Sequence, residues 1–406
     1  MIQEALALKI PVRIVFLTYG DNNEWAFSLY RKHPVLVPQS LRNMGLLRHD
    51  EAVAAANVLG LSADHLTFLG YPDFGTFHIW TSHWDGEKPF RSMLTKVTAV
   101  PYANAYRPGA PYKGDDILGD IESIIKEFRP TKVFVSHPGD GNPDHRALYL
   151  FTSVALWDLS KEIHPEVYPY LVHFKKWPAP KGIHPDQGLV PPIQFNGAIS
   201  WSIMPLSPDR IVKKREALLA HKTQVHYNAK YLFSFIRENE LFGDFSPVLV
   251  TGEESSGVLE KGENDREREI PEELTDEEKA SFVGFEKRVA TIEDDELVLS
   301  VTFTRALAPE TAISLYVFGY RGNTPFSKMP KIHVHFGPLK HTVMDQGQRI
   351  PTNSIHVERK PTEIIVKIPL LLLGYPDRVL TSARSYLLDI PLDWVSWRIL
   401  DVASPR

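Results

Sequence analysis

The sequence predicts an α/β domain followed by an all-β domain, on three observations. Residues 131–146 run from a short β-branched strand, Thr131 to Ser136, into a polar turn broken by Gly139, Gly141 and Pro143, and then into an apolar helix. Open α/β sheets place their chemistry at such strand-to-helix turns. Strands and helices alternate as βαβαβ from about residue 12 to residue 175, the pattern of a Rossmann-like doubly wound parallel sheet. Beyond about Glu296 the chain changes to short strands between Gly, Pro and Asn turns, the pattern of a β-sandwich. The expected organisation is an α/β domain over 1–250, a charged linker over 251–280 and a sandwich over 281–406.

Taken in order, Met1 to Lys9 reads as the last turns of an amphipathic helix, with Ile2, Ala5 and Leu6 on its apolar side. Val12 to Thr18 is nearly continuously apolar, as a parallel strand covered on both faces should be. A helix from about Arg48 to Leu59 stops at Gly60, and Leu66 to Leu69 is a short strand before the turn Gly70-Tyr71-Pro72-Asp73. Residues 74–113 lack periodicity but carry Trp80, Trp84, Tyr102, Tyr106 and Tyr112. Two readings stay open for these rings: stacking on sugar, or a local cluster packed on the domain. Asp115 to Phe128 is a helix closed by Arg129-Pro130, and the helix from Asp144 runs to about 160. Further strands are expected at 168–175 and 199–204, with helices at 208–224 and 229–242. The linker at 252–272 is charged and a short helix follows at 273–285. Strands are then expected at 296–304, 311–319, 331–336, 353–358, 363–371, 381–389 and 394–400.

The composition excludes several classes. Over 406 residues the net charge is −5, which with no basic run gives no electrostatic case for nucleic acid. There is no cysteine, so disulfides, thiolate ligands and a Cys nucleophile are excluded, and any metal must be held by His and carboxylates. No apolar run reaches the roughly 20 residues of a membrane span. No Gly-x-Gly-x-x-Gly or Walker-type loop supports a nucleotide-binding reading.

The 137–145 turn carries two histidines, His137 and His145, and two aspartates, Asp140 and Asp144. His145, just inside a helix and beside Asp144, is the leading metal-ligand candidate, since a ligating imidazole needs an acceptor on its second nitrogen. Asp144 could equally be a helix cap with His145 at the surface. His137, at the strand end, could reach the same turn or be a satisfied loop histidine. In the β domain, His333 and His335 share one strand face, which reads as a polar face rather than a metal site. Phe336, Trp394 and Trp397 read as core.

Gly141-Asn142-Pro143-Asp144-His145-Arg146 after a strand resembles the second motif of the PIG-L/LmbE-like N-acetylglucosaminyl deacetylases. Four further stretches resemble that family in order and spacing: Leu17 to Asp21; Arg48-His49-Asp50-Glu51; Phe68 to Asp73; and Lys214 to Gln224, ending His221-Lys222-Thr223-Gln224. The resemblance covers about residues 1–245. It implies a Zn²⁺-dependent hydrolase, or one using a similar divalent ion, that removes acetyl from an N-acetylglucosamine-type substrate. By resemblance His145 is the metal ligand, and Asp144, His137 and Asn142 are catalytic candidates. Arg48, Asp73 and His221 would meet the substrate. Two departures matter. The family's His-Pro-Asp-Asp-Glu motif is absent, so the chain is expected to lack the first strand, two metal ligands and the base, with little or no activity. Strand one is central in such a sheet, and its loss would expose the edges of two buried strands. The missing part, and any signal peptide, is expected upstream of Met1. Asn142 also replaces a histidine proposed as an acid, and an amide can donate a hydrogen bond but cannot shuttle a proton. The alternative is a non-catalytic carbohydrate-binding protein that retains the fold.

Overall fold

Helix-period apolar stripes and β-branched strands build the N-terminal part of the chain. A computed structural model describes residues 1–22, 37–195, 197–251, 258–261, 275–276, 279, 282–308, 310–337, 340–387 and 390–403. Most of the expected 251–280 linker and much of the 273–285 helix lie outside these residues. The chain divides into two compact units, Met1–Asp244 and Phe245–Arg406. Among the described residues no helix is long and apolar enough to cross a membrane.

The first unit runs α1 (Ile2–Ala7), β1 (Ile14–Thr18), α2 (Pro38–Leu59), β2 (Leu66–Tyr71), α3 (Thr76–Ser82), α4 (Gly114–Phe128), β3 (Lys132–Ser136), α5 (Pro143–Asp158), β4 (Glu166–Tyr170), β5 (Ser200–Pro205), α6 (Pro208–Ala220), α7 (Lys222–Leu232) and β6 (Asn239–Asp244). β1 pairs with β2 and β3 with β4, both parallel, as a βαβ chain requires. β5 and β6 form an antiparallel pair. Among the described residues no ladder joins the β1–β2 pair to the β3–β4 pair, so the parallel sheet is present as two separate pairs.

Helix α2 buries Leu41, Met44, Gly45, Glu51, Ala52, Ala55 and Ala56. Their three- and four-residue spacing is one face of a helix, and it carries Arg48 and Glu51 inward with it. The helix ends at Gly60, whose φ of 94° is the left-handed cap that glycine adopts without a Cβ clash. In α4 the buried stripe Ile117, Ile121, Ile124 and Ile125 includes Asp120. Asp120 accepts from Tyr71 Oη at 2.6 Å and Arg107 Nε at 2.7 Å, which fastens the irregular 83–113 segment to the domain.

Two expectations are corrected. The helix expected at 229–242 ends at Leu232, and Asn239–Asp244 is a strand paired with β5. The strand expected at 168–175 stops at Tyr170, and the Val172 and His173 amides donate to Asp140 instead of a neighbouring strand. Of the two readings left open for the rings of 74–113, the structure agrees with the packed cluster. Trp80, Trp84, Tyr102 and Tyr112 are buried, with Trp80, Trp84 and Phe151 packed together, and Tyr106 alone of the five is exposed.

The second unit comprises β7 (Val248–Val250), β8 (Val258–Lys261), β9 (Phe285–Glu293), β10 (Glu296–Phe303), β11 (Thr311–Tyr320), β12 (Lys331–Phe336), β13 (His341–Asp345), β14 (Gln348–Ile350), β15 (His356–Lys360), β16 (Glu363–Pro369), β17 (Arg378–Leu387), β18 (Ile390–Trp394) and β19 (Arg398–Val402). One sheet has the order β15-β16-β10-β9-β8 and the other β14-β13-β12-β11-β17-β19-β7, with β18 on β17. Alternate residues of both sheets, among them Leu297, Leu299, Val366, Ile313, Leu315 and Val334, meet in one apolar core. Phe336 and Trp397 are buried, and Trp394 is half-exposed.

His333 stacks on Tyr316 with ring centroids 4.5 Å apart. Burial first, and neighbouring His335 second, push its pKa from 6.5 down to about 4. The unfolded state binds more protons between these values, so stability rises with pH across that window. The contribution is complete above pH 6.5 and is lost as pH falls toward 4, amounting to up to about 3 kcal/mol. Thermal melts across this window should show the slope, and His333→Phe should flatten it; an unchanged slope contradicts the assignment.

Candidate active site

The C-terminal ends of β1, β2 and β3 carry the polar residues, as a parallel arrangement dictates. After β3 the chain turns through Asp140 and enters α5 with Asn142 as N-cap. Asn142 Oδ1 accepts from the Asp144 amide at 2.8 Å. The cap is therefore Asn142, with its carbonyl oxygen committed, and Asp144 lies one step inside the helix.

Asp144 is buried and reaches to the turn after β2. Its Oδ1 accepts from Thr76 N at 3.1 Å and Thr76 Oγ1 at 2.5 Å, and its Oδ2 accepts from the Phe74 amide. Asp73, in that turn, accepts from Asn22 N at 3.1 Å and lies 3.5 Å from Thr18 Oγ1. The Asp73 and Asp144 carboxyls are close enough to act on one another. Burial raises both pKa values, and the mutual repulsion of two carboxylates adds to it for Asp144. Arg48 pulls Asp73 the other way. Asp21, buried nearby, is pushed up to about 6 by burial and by the charge of Asp73, against the hydrogen bond that Tyr102 donates to it.

His145 is partly exposed, and its Nδ1 lies 3.2 Å from Asp140 Oδ2. Asp140 is fully buried and accepts from Asn142 N at 2.8 Å and from Val172 N and His173 N at 2.9 Å each. Burial works to raise its pKa, but the His145 contact and these N–H groups outweigh it and hold the carboxyl below its usual range. The His173 ring sits 5.0 Å from that of His145 and stacks on Tyr231 at 5.7 Å.

Arg48 donates to the Gly20 carbonyl, and Gly20 has φ of 68°, where a Cβ would lie 2.8 Å from the guanidinium. Burial lowers the Arg48 pKa, opposed by Asp73, Glu51 and Asp21. Glu51 accepts from Thr223 N at 2.8 Å and Thr223 Oγ1 at 2.7 Å. It thereby satisfies an amide at the start of α7. His221, at the α6–α7 junction, has its pKa lowered by burial, with Glu51 working against that shift.

The structure thus gathers Asp73, Asp144, His145 and Arg48, and sets His221 next to Arg48 and Glu51. His137 is fully buried; its Nδ1 accepts from Gly139 N at 2.9 Å and its ring packs on Phe195 and Trp201. Sequence reasoning named Asp140 with its turn but left Asp21, Glu51, Thr223, His173 and Phe74 out of the site. The three-residue step from Arg48 to Glu51 on one helix stripe was a usable signal for Glu51. The others become neighbours only through the fold.

Among the described residues no group of three His, Asp or Glu side chains is arranged to hold a metal ion. His145 can offer Nε2, but both Asp144 oxygens are taken by Phe74 and Thr76. These residues do not by themselves make a metal centre.

The first unit thus sets paired carboxylates, an imidazole and a guanidinium at the C-terminal ends of parallel βα units. Residues 1–156 match the family model PIG-L, described as GlcNAc-PI de-N-acetylase, so this part of the chain is similar to that family. The match supports a deacetylase-type hydrolase, in a family that is generally metal-dependent. No curated protein matches the chain.

Glu51→Ala should cost about 2 kcal/mol in urea unfolding, because two donors on Thr223 lose their acceptor. A double-mutant cycle with Thr223→Val should give a coupling of about 1–2 kcal/mol. Simple additivity would show that the two residues act independently.

Proposed function

We propose that the first unit is a de-N-acetylase-type site for an N-acetylglucosamine-type amide, with low turnover in the chain as it stands. The observation that carries this reading is the convergence of Asp73, Asp144, His145 and Arg48 at the strand ends, on motifs matched in order. Asp144 and Asp73 stand as a close pair of carboxyls beside His145. Arg48, anchored at Gly20, faces these acids from α2 and offers donors to sugar hydroxyls, with His221 beside it. The amide of Asn142 offers a donor at the helix entrance. His145 is the imidazole proposed for a divalent-ion site, Zn²⁺ being the ion proposed. With one such donor among the described residues, no hydrolytic step is assigned to a metal here. The same shortage favours the second reading, a carbohydrate-binding protein that keeps the deacetylase fold. The β-rich second unit is proposed as an accessory β-sandwich domain, and residues 251–280 as the linker.

The test is acetate release from N-acetylglucosamine conjugates by the full chain, with and without added Zn²⁺, followed by proton NMR. The reading predicts release at the level of a His145→Ala control and less than one zinc bound per chain. Zinc-dependent turnover that vanishes in His145→Ala would contradict the low-turnover claim and establish the enzyme.

A further inference from the structure

Phe74 stands in the turn that joins Asp73 to α3, and its backbone has φ of 54°. Only glycine enters this region freely; a bulky residue there is strained. The other described non-glycine residues with positive φ are Lys9, Lys96, Arg129, Lys176, Asp294, Asp295, Gln346 and Tyr375, so within the first unit the rest are long cationic side chains. Phe74 is its one apolar case among the described residues. The ring gains little from packing to offset the strain, since 43 % of the residue is exposed.

The turn cannot relax to relieve it. The Phe74 amide donates to Asp144 Oδ2, Thr76 is bound to the same carboxylate twice, and Gly75 N donates to Pro72 O at 3.0 Å. A Cβ on Gly75 would lie 2.6 Å from Phe90 and 2.7 Å from Pro72, so the neighbouring residue is closely packed. These ties fix the backbone of an exposed phenylalanine next to Asp144. Glycine would satisfy the same backbone without strain, so the phenyl ring itself needs a reason.

We infer that Phe74 is the specificity-determining residue of this site, an aromatic platform for the apolar face of a pyranose ring carrying the acetamido group. The inference rests on the reading of the site as one for N-acetylated sugars and adds how a ring is told from an open-chain amide. An aromatic face attracts the C–H groups of a sugar ring that lie on one side of it. An acyclic acetamide presents no such face. Arg48 and the acids then serve the polar edge of the same ligand.

The experiment is saturation-transfer NMR on the full chain with two probes, N-acetylglucosamine and N-acetylethanolamine, for the natural protein and for Phe74→Ala, Phe74→Gly and Phe74→Trp. The natural protein should saturate H1, H3 and H5 of the sugar and bind the acyclic probe more weakly. Phe74→Ala and Phe74→Gly should weaken sugar binding about tenfold, and Phe74→Trp should retain it. Phe74→Gly should also raise the melting temperature by about 2–4 °C as the strain is released. Sugar binding within twofold of the natural protein in Phe74→Ala, equal binding of both probes, or no binding of the sugar would overturn the inference. So would a lower melting temperature in Phe74→Gly, which would make the ring a packing element. Because the readout is binding, absence of acetate release would count against hydrolysis alone and leave this result to stand or fall separately.

Discussion

The first unit depends on one buried carboxylate, that of Asp144. The β1–β2 and β3–β4 pairs share no backbone ladder among the described residues, so ordinary sheet hydrogen bonding does not join them. Asp144 supplies a side-chain link instead, from the first turn of α5 to three donors on Phe74 and Thr76 after β2. A buried carboxyl is costly unless its oxygens are satisfied, and here both accept hydrogen bonds. The constraint that closes the fold is also what brings Asp73 against Asp144.

Asp140 repeats the device on the other side of the α5 entrance. It gathers the amides of Asn142, Val172 and His173 and holds Nδ1 of His145 within 3.2 Å. Glu51 does the same for α7 through Thr223. Three acids thus replace backbone pairing at three junctions, and each leaves a polar neighbour at the strand ends: Asp73, His145 and Arg48. The second unit is held differently, by apolar side chains from two sheets, and its buried Lys331 is satisfied by the Phe326 and Met329 carbonyls.

The legible parts of the sequence were those where local pattern and tertiary role agree. The β-branched run at 132–136, the Gly60 stop and the isoleucine stripe of α4 all sit where periodicity puts them. Asn239–Asp244 misled because it follows a helix and has no β-branched residue; its pairing with β5 is a tertiary effect. The rings at 80, 84, 102 and 112 stayed undecided because sequence does not say which side of a loop is buried. In the site, the residues that act through their own motif were readable, His145 and Arg48 among them. Asp21 and Thr223 meet Tyr102 and Glu51, 81 and 172 residues away in the chain, and no local pattern announces such contacts. Asn142 shows the intermediate case, a motif position whose carbonyl the fold commits to capping.

The most direct measurement is urea unfolding of Asp144→Ala, followed with amide hydrogen exchange at Phe74 and Thr76. If this carboxylate joins the two strand pairs, the first unit should lose about 3 kcal/mol and both amides should lose protection. A stability change within about 0.5 kcal/mol, with both amides still protected, would show that something else holds the pairs together.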